Sequence, residues 1–137
     1  MDSDGGKEAQ VTTGGGLQPI ESTDGERLFY LTSDSTYSSS ELWTVPVKGG
    51  EETKILDAVW GRDFDVRRDG IYFILFPGAH GGPSLQFFSF ASKTSKEIAK
   101  IDRRVENGFT VSPDGRFAVY PQSYQSNADL MLVDNFR

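Results

Sequence analysis

The chain contains no cysteine and one histidine, His80, so disulfides, thiolate catalysis and a tetrahedral Cys/His zinc site are excluded. It has no apolar run approaching the roughly 20 residues of a membrane-spanning helix. Its opening, MDSDGGKEAQ, has neither the basic nor the apolar region of a signal peptide. Basic residues are the minority: 14 Lys and Arg against 20 Asp and Glu give a formal net charge of −6. That balance disfavours a nucleic-acid surface and an anionic membrane as partners. Sustained helical periodicity is missing as well, and Gly or Pro punctuates the chain throughout.

Aromatic residues are plentiful. Ten Phe and five Tyr among 137 residues are too many for a disordered chain and favour strands. The dipeptide Asp-Gly occurs at Asp24-Gly25, Asp69-Gly70 and Asp114-Gly115, at intervals of 45 residues. Each copy separates two strand-like runs, and a period of about 40 to 50 residues marks an array of small sheets. The first strand of each unit ends at the turn, with Phe64 and Val66, then Phe109 and Val111, alternating as a strand should. The second strand is almost continuously apolar, at 28–31, 71–76 and 117–120. A third is expected at 41–45, 84–88 and 129–133, and a fourth at 53–56 and 97–101 only. Residues 1–16 read as a polar, Gly-rich lead-in, in which 9–13 is a candidate edge strand.

At Ser112-Pro113-Asp114-Gly115-Arg116-Phe117 the sequence resembles the Pro-Asp class of WD-repeat-like β-propeller blades, the TolB type. The stretches from Leu42 to Gly50 and from Asp129 to Arg137 resemble the same family. The first two copies lack its Pro, reading Ser22-Thr23-Asp24 and Arg67-Arg68-Asp69. The resemblance implies an all-β partial propeller of about three four-stranded antiparallel blades, at 17–58, 59–104 and 105–137, the last without its outer strand. It also implies the C-terminal blades of a larger bacterial sensor or regulator, and a periplasmic setting. The chain taken as complete would instead be cytoplasmic.

The functional expectation is a non-catalytic module for protein or peptide interaction or for sensory scaffolding, with no cofactor or metal. Two copies could also pair as half-rings to complete a six-bladed ring. The alternatives are a calcium-dependent propeller hydrolase and the cap of a serine peptidase. No G-x-S-x-G elbow frames Ser84 or Ser89 beside His80. Loops opposite the Asp-Gly turns, together with the links between units, carry the expected binding rim: Tyr37, Trp60, Arg62, His80, Arg103, Arg104 and Tyr124. Aromatic and Arg side chains are common anchors of protein contacts. For Trp60 the competing reading is a wedge between units.

Overall fold

The computed structural model describes residues 10–12, 16–32, 38–76, 81–102, 105–124 and 127–134; the side chains of 123, 124, 127–129 and 134 lie outside that description. Eleven strands and no helix occur among these residues. In the first sheet β1 (Leu17–Glu21), β2 (Arg27–Leu31), β3 (Ser39–Pro46) and β4 (Thr53–Trp60) lie in chain order. The second sheet repeats that order with β5 (Phe64–Val66), β6 (Gly70–Leu75), β7 (Ser84–Ser89) and β8 (Ser95–Lys100). The third holds β9 (Thr110–Val111), β10 (Phe117–Tyr124) and β11 (Asn127–Asp134). All neighbouring strands pair antiparallel, so each sheet is a meander.

Two seams hold the sheets together. Between the first and second lie Phe29, Leu31, Leu42, Leu56, Val59, Phe64, Ile71, Phe73 and Phe88, all buried. Between the second and third lie Trp60, Tyr72, Ile74, Leu85, Val105, Phe109, Val111, Ala118 and Tyr120. β6 contributes to both, Ile71 and Phe73 to one face and Tyr72 and Ile74 to the other. A strand covered on both sides has no polar face to alternate with, which explains its unbroken apolar run.

The seams differ in their polar content. Across the second, Trp60 Nε1 donates to Val105 O at 3.0 Å, and Arg62 N donates to Asn107 Oδ1 at 3.1 Å. Asp63 Oδ1 accepts from Gly108 N at 3.2 Å and Phe109 N at 3.4 Å. Asp65 Oδ2 accepts from Val111 N at 2.8 Å and from Thr110 Oγ1 at 3.3 Å. Every one of these partners is 45 or 46 residues away, one repeat along the chain. One repeat earlier stand Gly15, Leu17, Gln18 and Ile20, which include no Trp, Arg or carboxylate. Those four positions cannot repeat in the first seam the Trp, Arg and carboxylate contacts that the second adds to its apolar packing.

Two segments differ in extent from the sequence reading. Of the candidate edge strand at 9–13, residues 10–12 are described and carry no strand pairing, and Gln10 Nε2 donates to Thr12 O at 2.8 Å; residues 9 and 13 lie outside the described residues. β4 runs from Thr53 to Trp60, longer than the 53–56 read from the sequence, and its pairing with β3 shifts register.

Candidate functional site

The three Asp-Gly turns come together on one face of the array, yet they are not equivalent. In the first, Ser22 Oγ donates to Asp24 Oδ1 at 2.6 Å and accepts from Arg27 N at 3.0 Å, while Glu26 N donates to Asp24 Oδ1 at 2.9 Å. The third repeats this closely: Ser112 Oγ donates to Asp114 Oδ1 at 2.7 Å, Phe117 N donates to Ser112 Oγ at 3.0 Å, and Arg116 N donates to Asp114 Oδ1 at 3.0 Å. Gly25 and Gly115 take φ of 74° and 71°, where a side chain would be strained. The Ser hydroxyl bond, followed by the turn's N–H, holds each of the two Asp carboxyls below the ordinary 3.8. Ser112→Ala removes the centre of that network. The expected loss is about 1 kcal/mol, seen as a lower thermal midpoint; an unchanged midpoint would mean that the hydroxyl bonds contribute nothing net.

The middle turn is built differently. Arg67 and Arg68 replace the Ser and its neighbour, and Arg67 N donates to Gly70 O at 2.8 Å. Gly70 is required here by close approach: a Cβ would stand 2.0 Å from Phe88 O and 2.7 Å from the Phe87 ring. Arg67 reaches sideways instead of capping its own turn. Its Nη2 donates to Asp65 Oδ2 at 2.7 Å and to Val111 O on the third sheet. Asp65 is thereby committed to an ion pair and to the second seam.

A crevice opens on each side of the Arg67-Arg68 pair. The first, of about 230 Å³, lies at the seam of the first two sheets. Arg27, Arg67 and Arg68 line it with Asp24, over Phe29, Ile55 and Phe90. Phe29 and Phe90 stack with centroids 5.7 Å apart, and Arg27 is steadied by its Nε donating to Thr44 Oγ1 at 3.0 Å. The second crevice, of about 160 Å³, is lined by Arg67, Arg68, Asp69 and Asp114 with Tyr72, Phe87 and Pro113. Its cations and carboxylates are equal in number. Only the first crevice carries a surplus of positive charge.

Of the rim expected from the sequence, Trp60 is inside the second seam, 7% exposed, with its ring 4.8 Å from Phe76. It stands between blades, packed in the second seam with its indole N–H on Val105 O one repeat later. Arg62 is half-buried beside the same seam. Tyr37, His80, Arg103 and Arg104 lie outside the described residues, as does the Tyr124 side chain, whose backbone pairs with Asn127. Of those seven residues, only the side chains of Trp60 and Arg62 are described, and both lie at the second seam. The residues missed, Arg27, Arg67, Arg68, Phe29 and Phe90, had one signal among them: the replacement of Ser-Pro by Arg-Arg in the middle copy.

No protein-family model and no curated protein matches the sequence. Solved structures do. One, from a structural and mechanistic analysis of two prolyl endopeptidases and the role of inter-domain dynamics in their catalysis and specificity, has a TM-score of 0.58 at 14% identity. The match covers 85% of this chain and 20% of that one. TolB from Acinetobacter baumannii has a TM-score of 0.54 at 16% identity, covering 80% of this chain and 28% of its own. The chain thus spans less than a third of either structure. The three sheets are blades of the β-propeller fold that TolB and prolyl endopeptidase share.

Proposed function

We propose that the chain is a non-catalytic interaction module, three blades of a larger bacterial propeller, which associates with further β-structure through its third blade. The observation that carries this reading is the surface of β11. It is an edge strand, and Leu130, Met131 and Leu132 on it are 76%, 38% and 58% exposed. Register places Leu130 opposite Pro121 and Leu132 opposite Val119, so these four share one face of the sheet. Ala118 and Tyr120, on the other face, are buried against the second blade. An edge strand with a large uncovered apolar face is a surface for association.

The non-catalytic reading is supported by two acids at the second seam. Asp63 and Asp65 each accept backbone N–H groups from the third blade, a structural assignment for both carboxylates. The share of TolB and prolyl endopeptidase that the chain spans supports its being a segment of a larger ring.

Sedimentation velocity tests the reading. The purified chain is expected to associate at micromolar concentration, and Leu130→Lys with Leu132→Lys to leave it monomeric with an unaltered β spectrum. A discrete dimer would identify two copies as the closing halves, whereas an open-ended series would assign closure to other blades. A monomeric wild-type chain, or a double variant that associates as strongly, would overturn the proposal.

A further inference from the structure

The crevice at the seam of blades one and two combines an apolar floor with an Arg-rich wall. Phe29 is buried, and Ile55 and Phe90 are half-buried, so the crevice leaves the faces of the latter two open. Three of its lining residues are cations and one is a carboxylate, within a chain whose net charge is −6. The carboxylate, Asp24, already accepts from Ser22 Oγ and Glu26 N. Arg67 is engaged with Asp65 and Val111 O. Arg68 is exposed and makes no hydrogen bond or ion pair among the described residues. Arg27 uses its Nε on Thr44, which leaves its terminal nitrogens toward the crevice wall without a partner among the described residues.

We propose that this crevice receives the C-terminus of a peptide, the last side chain resting on Phe29, Ile55 and Phe90 and the free carboxylate held by Arg68 and Arg27. The size suits one residue: about 230 Å³ is below the roughly 300 Å³ at which pockets for drug-sized ligands begin. The floor selects an apolar side chain, because a polar one would lose its water without gaining a partner. The wall selects a carboxylate, whose planar pair of oxygens matches a guanidinium fork. The matching crevice at the second seam lacks both the larger volume and the charge surplus, so the repeat does not supply a second copy of the site. This inference does not depend on association through the third blade.

The test uses the full chain and two probes, N-acetyl-Gly-Gly-Phe with a free carboxylate and the same peptide as its carboxamide, titrated by NMR. The acid is expected to bind about tenfold more tightly than the amide, the difference that one charge-assisted hydrogen-bonded pair supplies. Arg68→Gln should remove most of the acid's advantage over the amide, leaving only what Arg27 supplies, and Arg68→Lys should keep a larger part of it. Arg68 has no partner to lose, so both variants are expected to fold. The chain with Leu130→Lys and Leu132→Lys should bind the acid as the wild type does, which separates this site from the third-blade surface. Equal binding of acid and amide, binding of neither, or an Arg68→Gln chain that still prefers the acid tenfold would each overturn the proposal.

Discussion

Truncation of Trp60 to Ala is expected to destabilise the chain by about 4 kcal/mol, within the range for deleting a large buried aromatic. The ring is 7% exposed and packs among Tyr72, Ile74, Leu85, Val105 and Phe109, so its removal leaves a void at the centre of the second seam. Its indole N–H is also the donor to Val105 O, and losing it leaves a buried carbonyl unsatisfied. Trp60→Phe separates the two effects, keeping most of the volume while dropping the donor, and should cost about 1 to 2 kcal/mol. Urea unfolding with an unchanged slope is the appropriate measurement. Hydrogen exchange adds a spatial check, because β9 and β10 should open more readily than β2 and β3 once the wedge is gone. A loss below about 1 kcal/mol for the Ala variant would mean that the blades are not held at this seam.

That prediction depends on a contact that one copy of the repeat cannot reveal. The second strands were legible because a strand packed on both faces must be apolar throughout, and 28–31, 71–76 and 117–120 read that way. β8 was legible only approximately, expected at 97–101 and found at Ser95–Lys100, because its side chains are mostly exposed and little burial constrains them. β4 was read short for a different reason. Its pairing with β3 shifts register, and a period-2 pattern cannot be followed through a shift.

The site was less legible than the fold. Position in a meander tells at which end of a blade a residue lies, but not whether the neighbouring blade covers it. Trp60 therefore fits both rim and wedge by sequence, and its burial at the second seam involves Val105, one repeat away. Arg67-Arg68 looked like a turn that had lost its Ser and Pro. In the folded chain the loss redirects one Arg across the second seam and leaves the other between two crevices. Equal spacing concealed the difference, since the Asp-Gly dipeptide is used in two ways: as a positive-φ turn at Gly25 and Gly115, and as a close approach at Gly70.

The contribution of Asp63 to stability is expected to fall as pH rises from about 4 to 7. Burial pushes its carboxyl up from 3.8 to about 7, against the lowering influence of the Phe109 and Gly108 N–H bonds and with a smaller contribution from the charge of Glu106. The side chain is fully buried, and its Oδ2 has no hydrogen-bond partner, so ionisation inside the seam lacks full compensation. Between the two pKa values the unfolded chain has released this proton while the folded chain keeps it. Folding then requires proton uptake, and that contribution declines with pH until the folded carboxyl itself ionises near 7. Asp63→Asn carries no titrating proton and retains a carbonyl oxygen for Gly108 N and Phe109 N. Relative to wild type, the Asn variant should gain about 3 kcal/mol between pH 4.5 and pH 8. Taking the difference between the two chains at each pH cancels the titration of all other groups that the substitution leaves undisturbed. Urea midpoints whose difference stays constant across that interval would show that Asp63 is ionised throughout, with its charge balanced within the seam.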